Sequence, residues 1–135
     1  MKLIICLDDN NGMSFNKRRQ TRDIKMREHL YKKLNGNRLL ISPYSEKLYS
    51  GYENVLVSDN YLEIAQENDY ILSEIDDITD ILDKCEGLIV YYWHRSYPSD
   101  FKVSIPNSFK IINSEDFSGK SHNQISYVEY KNEQY

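Results

Sequence analysis

The feature that most restricts how this chain can fold is a set of short, nearly unbroken runs of branched and aromatic apolar residues. Leu3 to Leu7 meets Asp8 and Asp9 after five residues. Leu88 to Trp93 is the strongest run of this kind, and Arg38 to Ser42 and Asn54 to Val57 are shorter versions. Runs of this length without polar alternation suit strands covered on both faces, as in a sheet flanked by helices. Five apolar residues are too few for a signal-peptide core or a membrane span. Cys6 and Cys85 lack CxxC spacing, which suits a reduced cytoplasmic protein better than a secreted disulfide scaffold. The expectation is therefore a cytoplasmic protein with no membrane association.

Between the apolar runs the pattern changes to helical. From Arg18 to Leu34 there is no Pro or Gly, and Met26, Leu30 and Leu34 recur at fourfold spacing with Ile24 and Tyr31 beside them. This predicts a long first helix over 18–34, stopped by Asn35-Gly36-Asn37. Ser58 or Asp59 would cap a short helix to about Gln66, Asp69 to Ser73 would form a strand, and Ile75 to Cys85 a second short helix. Phe109 to Ile112 and Ile125 to Tyr130 have strand composition and could add antiparallel strands at the end. One α/β domain over residues 1–135 follows, with a mixed central sheet, a long first helix and shorter helices. With 135 residues it can bury a core without disulfides or metal.

The net charge of −4 conceals an asymmetry. Between Lys17 and Arg38 nine basic residues face only Asp23 and Glu28, whereas the rest of the chain has eight basic against nineteen acidic residues. A local positive field on an acidic protein favours a small anionic ligand over a long nucleic-acid track, so nucleic acid is an unfavoured partner. A solvated basic helix face is the alternative.

Two stretches carry candidate chemistry. The first, Asp8 to Arg22, leads from the first strand through a Gly12 loop towards the first helix, where open α/β sheets commonly build ligand sites. On a helix, Arg18 and Arg22 would share one side with Arg19 close by, giving paired donors for a diphosphate. Alternatively Asp8 and Asp9 cap the helix or pair with these arginines to fix the loop. Neighbouring strand side chains point oppositely and no third acid is evident, so a magnesium site is not expected. There is no GxxxxGK[ST] and no GxGxxG.

The second stretch, Tyr91 to Pro98, gathers four aromatic rings, His94 and Arg95. It suits stacking of a base and hydrogen bonds to ribose or phosphate, although alternation sends about half of the rings into the core. In a late polar loop, Ser121 and His122 follow Gly119 and could approach a ligand. Neither GxSxG nor HExxH occurs, and three scattered histidines do not form an HxHxDH array, so no catalytic residue, metal site or cofactor is assigned. His29, among charged neighbours, reads as a surface or packing residue.

The pattern LIICLDDNNGMSFNKRRQTRD, followed by LLISPYS, YYWHRSYPSD and SEDFSGKSH, resembles the Thoeris anti-defence protein 1 family across nearly the whole chain. That resemblance implies a phage-encoded sponge, acting in the host bacterial cytoplasm, that captures the cyclic ADP-ribose isomer made by TIR-domain proteins. It further implies a homo-oligomer with sites near subunit boundaries. The ligand-binding positions it implies are Phe15, Asn16, Arg18, Arg19 and Arg22 from the first motif and Trp93, His94 and Arg95 from the second. The competing expectations are a nucleotide-processing phosphodiesterase using His94 or His122 as acid and base, and a small RNA-binding module.

Overall fold

In the computed structural model, which describes all residues from Met1 to Tyr135, the apolar runs become the middle of a seven-stranded mixed sheet. The strands are β1 (Lys2–Leu7), β4 (Leu39–Ile41), β5 (Val55–Val57), β6 (Tyr70–Leu72), β7 (Gly87–Tyr92), β8 (Phe109–Phe117) and β9 (Ile125–Asn132). Their order is β5-β4-β6-β1-β7-β9-β8. The first five are parallel to one another, β9 runs antiparallel to β7, and β8 antiparallel to β9.

Alternation along β1 explains the two cores. Leu3, Ile5 and Leu7 pack on one face with Ile78, Leu82 and Phe109, while Ile4 packs on the other with Met26, Leu30 and Leu34. A strand buried on both sides must be apolar throughout, which is why these runs lack polar interruptions. At the far edge, β8 is exposed along most of its length. A bulge falls between Ile111 and Asn113, and Ile111 and Ile112 are both solvent-facing.

The helices are shorter than the sequence suggests. The first, α1 (Ile24–Leu34), spans eleven residues and starts six positions later than expected. Asp23 caps it by accepting from the Lys25 amide at 2.9 Å, and Asn35 closes it in the left-handed region at φ 48°. The residues before it form a separate hairpin of β2 (Ser14–Phe15) and β3 (Arg18–Arg19), whose turn residues Asn16 and Lys17 have φ of 51° and 56°. Positive φ at both central residues gives the twist that a two-residue hairpin needs. The absence of Pro and Gly from 18 to 23 therefore did not signify a helix.

Residues 58–66 are turns rather than a helix. The helix expected over 75–85 contracts to α3 (Thr79–Leu82), where Asp77 accepts from the Thr79 amide and hydroxyl. Between β4 and β5 lie a 3-10 turn at Pro43–Ser45 and α2 (Glu46–Tyr49). The antiparallel addition is present, and β8 and β9 both extend past the expected ends. No helix is long and apolar enough to cross a membrane.

Candidate functional site

All five parallel strands end on one side of the molecule, and residues 8–23 fold across the ends of β1, β6 and β7. Ligands of open α/β sheets bind at this side. Asp8, directly after β1, organises the crossing segment from a buried position. It accepts from the amides of Asn10 at 2.9 Å, Gly12 at 2.8 Å and Tyr97 at 3.0 Å, and from Gln20 Nε2 at 3.2 Å. Burial would raise its pKa, but these donors outweigh burial and hold the carboxyl below its usual range. Asp8 thus fixes the loop through backbone amides; it neither caps the helix nor pairs with an arginine.

The hairpin is latched from the opposite side of the cleft. Arg19 Nε and Nη2 donate to the two Glu74 oxygens at 2.8 and 3.0 Å. Its guanidinium also lies over the Tyr44 ring, 4.5 Å from the centroid. Ser45 Oγ donates to the same carboxylate at 2.7 Å. Arg19 is therefore a structural partner of Glu74, not the free phosphate donor expected. Arg18, one residue earlier on the strand, points the other way and is exposed without an ion pair. Since neither Arg18 nor Arg22 is helical, the shared helix side expected for them does not exist.

Two spaces adjoin the hairpin. An open groove of about 390 Å³ is lined by Phe15, Asn16, Arg18, Arg19, Gln20, Tyr97 and Pro98. Four residues expected from the first motif meet here, and Phe15 is 41% exposed. Behind them is a narrow crevice whose wall includes Cys6, Gln20, Arg22, Met26, Arg27 and Trp93. Burial pushes the Cys6 thiol well above its usual pKa, which keeps it protonated and poorly nucleophilic.

The second motif does not converge on these spaces as a unit. Trp93 is buried and stacks on His122 with centroids 4.6 Å apart, so His122 is a core residue and not a side chain approaching a ligand from a loop. His94 adopts a left-handed backbone at φ 59° and turns towards β9, with Nε2 2.6 Å from Ser126 Oγ. Ser126 Oγ in turn donates to Asp116 Oδ1 at 2.5 Å. Arg95 Nη2 donates to the Ser121 carbonyl at 2.7 Å. His94, Arg95, Ser121 and His122 line neither the groove nor the crevice.

Asp23, Ser121 and His122 do assemble, in a geometry that fixes structure. His122 Nδ1 is 3.0 Å from Asp23 Oδ2 and 3.2 Å from Ser121 Oγ, while its Nε2 faces the Tyr97 hydroxyl at 3.3 Å. A nucleophilic relay requires the hydroxyl and the carboxylate on opposite ring nitrogens. Here both sit at Nδ1. Asp23 additionally accepts from the amides of Lys120 and Ser121 at 3.0 and 2.8 Å. Burial opposes ionisation, yet this set of donors holds Asp23 well below the usual carboxylate range. The cluster clasps the loop before β9 to the start of α1.

Sequence reasoning passed over Gln20, Tyr97 as a groove wall, Glu74, Tyr44 and Arg27. Alternation within the short strand Arg18–Arg19 was the signal that could have separated the two arginines, had the hairpin been recognised.

Comparison with known proteins gives a fold without a family. No family model matches the chain, and no curated protein matches it. Among solved structures, dihydrofolate reductase from Enterococcus faecalis, complexed with NADP(H) and RAB-propyl, superposes with a TM-score of 0.65. That match covers 96% of this chain and 94% of the other at 10% sequence identity. The protein thus has a single-domain mixed α/β fold similar to that of dihydrofolate reductase. At this identity the likeness concerns architecture alone.

Proposed function

We propose that this protein binds a small diphosphate-bearing nucleotide and retains it unaltered. The ligand class is a cyclic ADP-ribose isomer, as the family resemblance implies, and the role is that of a phage sponge that keeps this signal from a Thoeris effector in the bacterial cytoplasm. The observation carrying this reading is the groove in which the unpaired guanidinium of Arg18 stands beside the rings of Phe15 and Tyr97. A guanidinium matches phosphate oxygens, and an exposed ring offers a face to a ribose or base. The groove's volume falls within the range of about 300–1,000 Å³ typical of small-molecule sites. The similar fold that carries NADP(H) lends support by analogy, because that dinucleotide also contains a diphosphate.

Capture at submicromolar signal requires roughly 8–12 kcal/mol of binding free energy. A groove open on one side supplies this when a second copy covers it, so the reading includes a homo-oligomer with sites near the subunit boundary. Calorimetry against cyclic ADP-ribose isomers, ADP-ribose, NADP(H) and cyclic oligonucleotides tests it. The expected result is one ligand per chain, recovered intact after heat denaturation. Binding should be lost in Arg18→Ala while the circular dichroism spectrum is preserved. An altered product with multiple turnovers would replace the sponge by a phosphodiesterase. Binding of single-stranded RNA with steep salt dependence would replace it by an RNA module. Binding of NADP(H) alone would turn the assignment towards a redox dinucleotide.

A further inference from the structure

The sheet ends in two unlike edges. β5 closes one side with three residues, and very short edge strands recruit no further chain. β8 closes the other with nine residues, an unpaired edge about 30 Å long. Exposed edges of this length are usually blunted by proline, charge or an overlying segment. The centre of β8, Ile111 to Asn113, holds neither proline nor charge. Ile111 and Ile112 are 62% and 58% exposed, and Ile112 is the bulge residue, with no partner on β9. Beside Ile112 runs a surface groove of about 390 Å³ bordered also by Tyr130 and by Tyr135, which is itself exposed. Three of the five large apolar side chains that the protein exposes therefore surround this edge, which marks it as an interaction surface.

The charges at the two ends of β8 specify the partner. Lys110 precedes the isoleucines and makes no ion pair within the chain, whereas Glu115 and Asp116 follow them. Glu115 is held to α1 by Lys33 and His29, yet its side chain stays 40% exposed. A second β8 laid parallel in register would set like charge against like, which destabilises a strand pair. Laid antiparallel about Asn113, with Ile112 out of register as the bulge, it brings Lys110 of each copy opposite Glu115 of the other. The two Asn113 amides then face each other, each with a donor and an acceptor to offer. The strand is complementary to itself in one direction only.

We propose that β8 is a self-recognising edge, through which two copies of this chain join antiparallel about Asn113 and their sheets become continuous. The contact is isologous, so one patch serves both copies. It is distinct from the copy that the sponge reading places over the ligand groove, because β8 contributes no residue to that groove.

Sedimentation velocity of the ligand-free protein over a concentration series tests it, together with three variants. The natural protein should sediment as an assembly with an even number of chains. Ile111→Lys plus Ile112→Lys should halve its mass while the circular dichroism spectrum is preserved, since both side chains are exposed. Asn113→Cys should form a disulfide-linked dimer under mild oxidation, because self-paired residues on antiparallel strands stand about 4.5–5.5 Å apart, within disulfide reach. Lys110→Cys, which faces Glu115 of the copy, should not cross-link, nor should the natural chain. If the double lysine variant does not fold, the two cysteine variants decide. A natural protein that stays monomeric, a mass unmoved by the double lysine variant, or cross-linking through Lys110→Cys and not Asn113→Cys would each overturn the proposal. Calorimetry with a cyclic ADP-ribose isomer on the natural protein reads the groove separately: its failure would remove the sponge reading and leave the β8 contact standing.

Discussion

Replacing Asp23 by Ala tests the clasp between the start of α1 and the loop before β9. Loss of the N-cap alone costs about 1 kcal/mol. The amides of Lys120 and Ser121 then lose their acceptor, at about 1 kcal/mol each because both are only partly buried. Loss of the charged contact to His122 Nδ1 adds roughly 1.5 kcal/mol. The sum, about 3–5 kcal/mol, is a large share of the roughly 5–15 kcal/mol that holds a domain together. With an m-value of about 2 kcal/mol/M in urea, the unfolding midpoint should fall by roughly 2 M. Urea titration followed by Trp93 emission and far-ultraviolet circular dichroism measures it, with Trp93 reporting directly because it stacks on His122. Asp23→Asn keeps a capping oxygen and should lose about half as much. A midpoint shift below about 0.5 M for Asp23→Ala would refute the reasoning, since the clasp would then contribute no more than a surface cap.

Acid titration should expose Asp23 together with two other carboxylates rich in donors, Asp8 and Asp69, the latter held by Arg38 Nε and Nη2 at 2.9 and 2.6 Å. The carboxyls of Asp8, Asp23 and Asp69 titrate below their usual range in the folded protein, so the unfolded chain binds more protons at low pH. Their contribution is present above the unfolded carboxylate pKa of about 4 and disappears as pH falls through the folded values. Stability measured from pH ~6 to pH ~2 should decline, less steeply in Asp23→Asn, and identical slopes would contradict the assignment. Arg19→Ala leaves the largely buried Glu74 carboxylate without its countercharge, held by the Ser45 hydroxyl alone, and should cost about 2–4 kcal/mol, more than Glu74→Gln, which still accepts from Arg19 and Ser45. The reverse order in thermal melts would argue against a latch. At Gly119 an added Cβ would stand 2.6 Å from Asp23 Oδ2 and 2.8 Å from the His122 carbonyl. Gly119→Ala should therefore lower stability by about 1–3 kcal/mol, read by calorimetric melting, and an unchanged melt would show that the loop yields freely.

What the sequence revealed and what it hid follow from the range of the forces involved. The central strands were legible because burial on two faces requires apolar residues at every position, as in Leu3–Leu7 and Leu88–Tyr91. The inward face of α1 was legible for the same reason. Its start was not, because the hairpin before it has two-residue strands, an Asn-Lys turn with no glycine, and a hold on the protein through Glu74, 55 residues away from Arg19. Arg18 and Arg19 look equivalent in sequence and both border the groove, yet Arg18 has no ion pair there and Arg19 is tied to a buried carboxylate. His122 looked like a loop residue because its burial depends on Asp23 and Trp93, which are distant in the chain. The groove was approximated because four of its residues are adjacent or nearly so. Of the crevice wall only Arg19, Arg22 and Trp93 were legible, because residues 19–23 are joined there by side chains from β1, α1, α2 and the segments after β6 and β7, which are distant in the chain.

The clasp at Asp23 also sets an order of events during synthesis. Its partners Lys120, Ser121 and His122 leave the ribosome long after α1 does, and β9, which completes the flank of β7, follows them. A chain truncated after Gly119 retains the sequence of every parallel strand but lacks the clasp on Asp23 and the strand that covers the outer side of β7. Such a fragment would emerge with β7 as a raw sheet edge, open to association with other nascent chains.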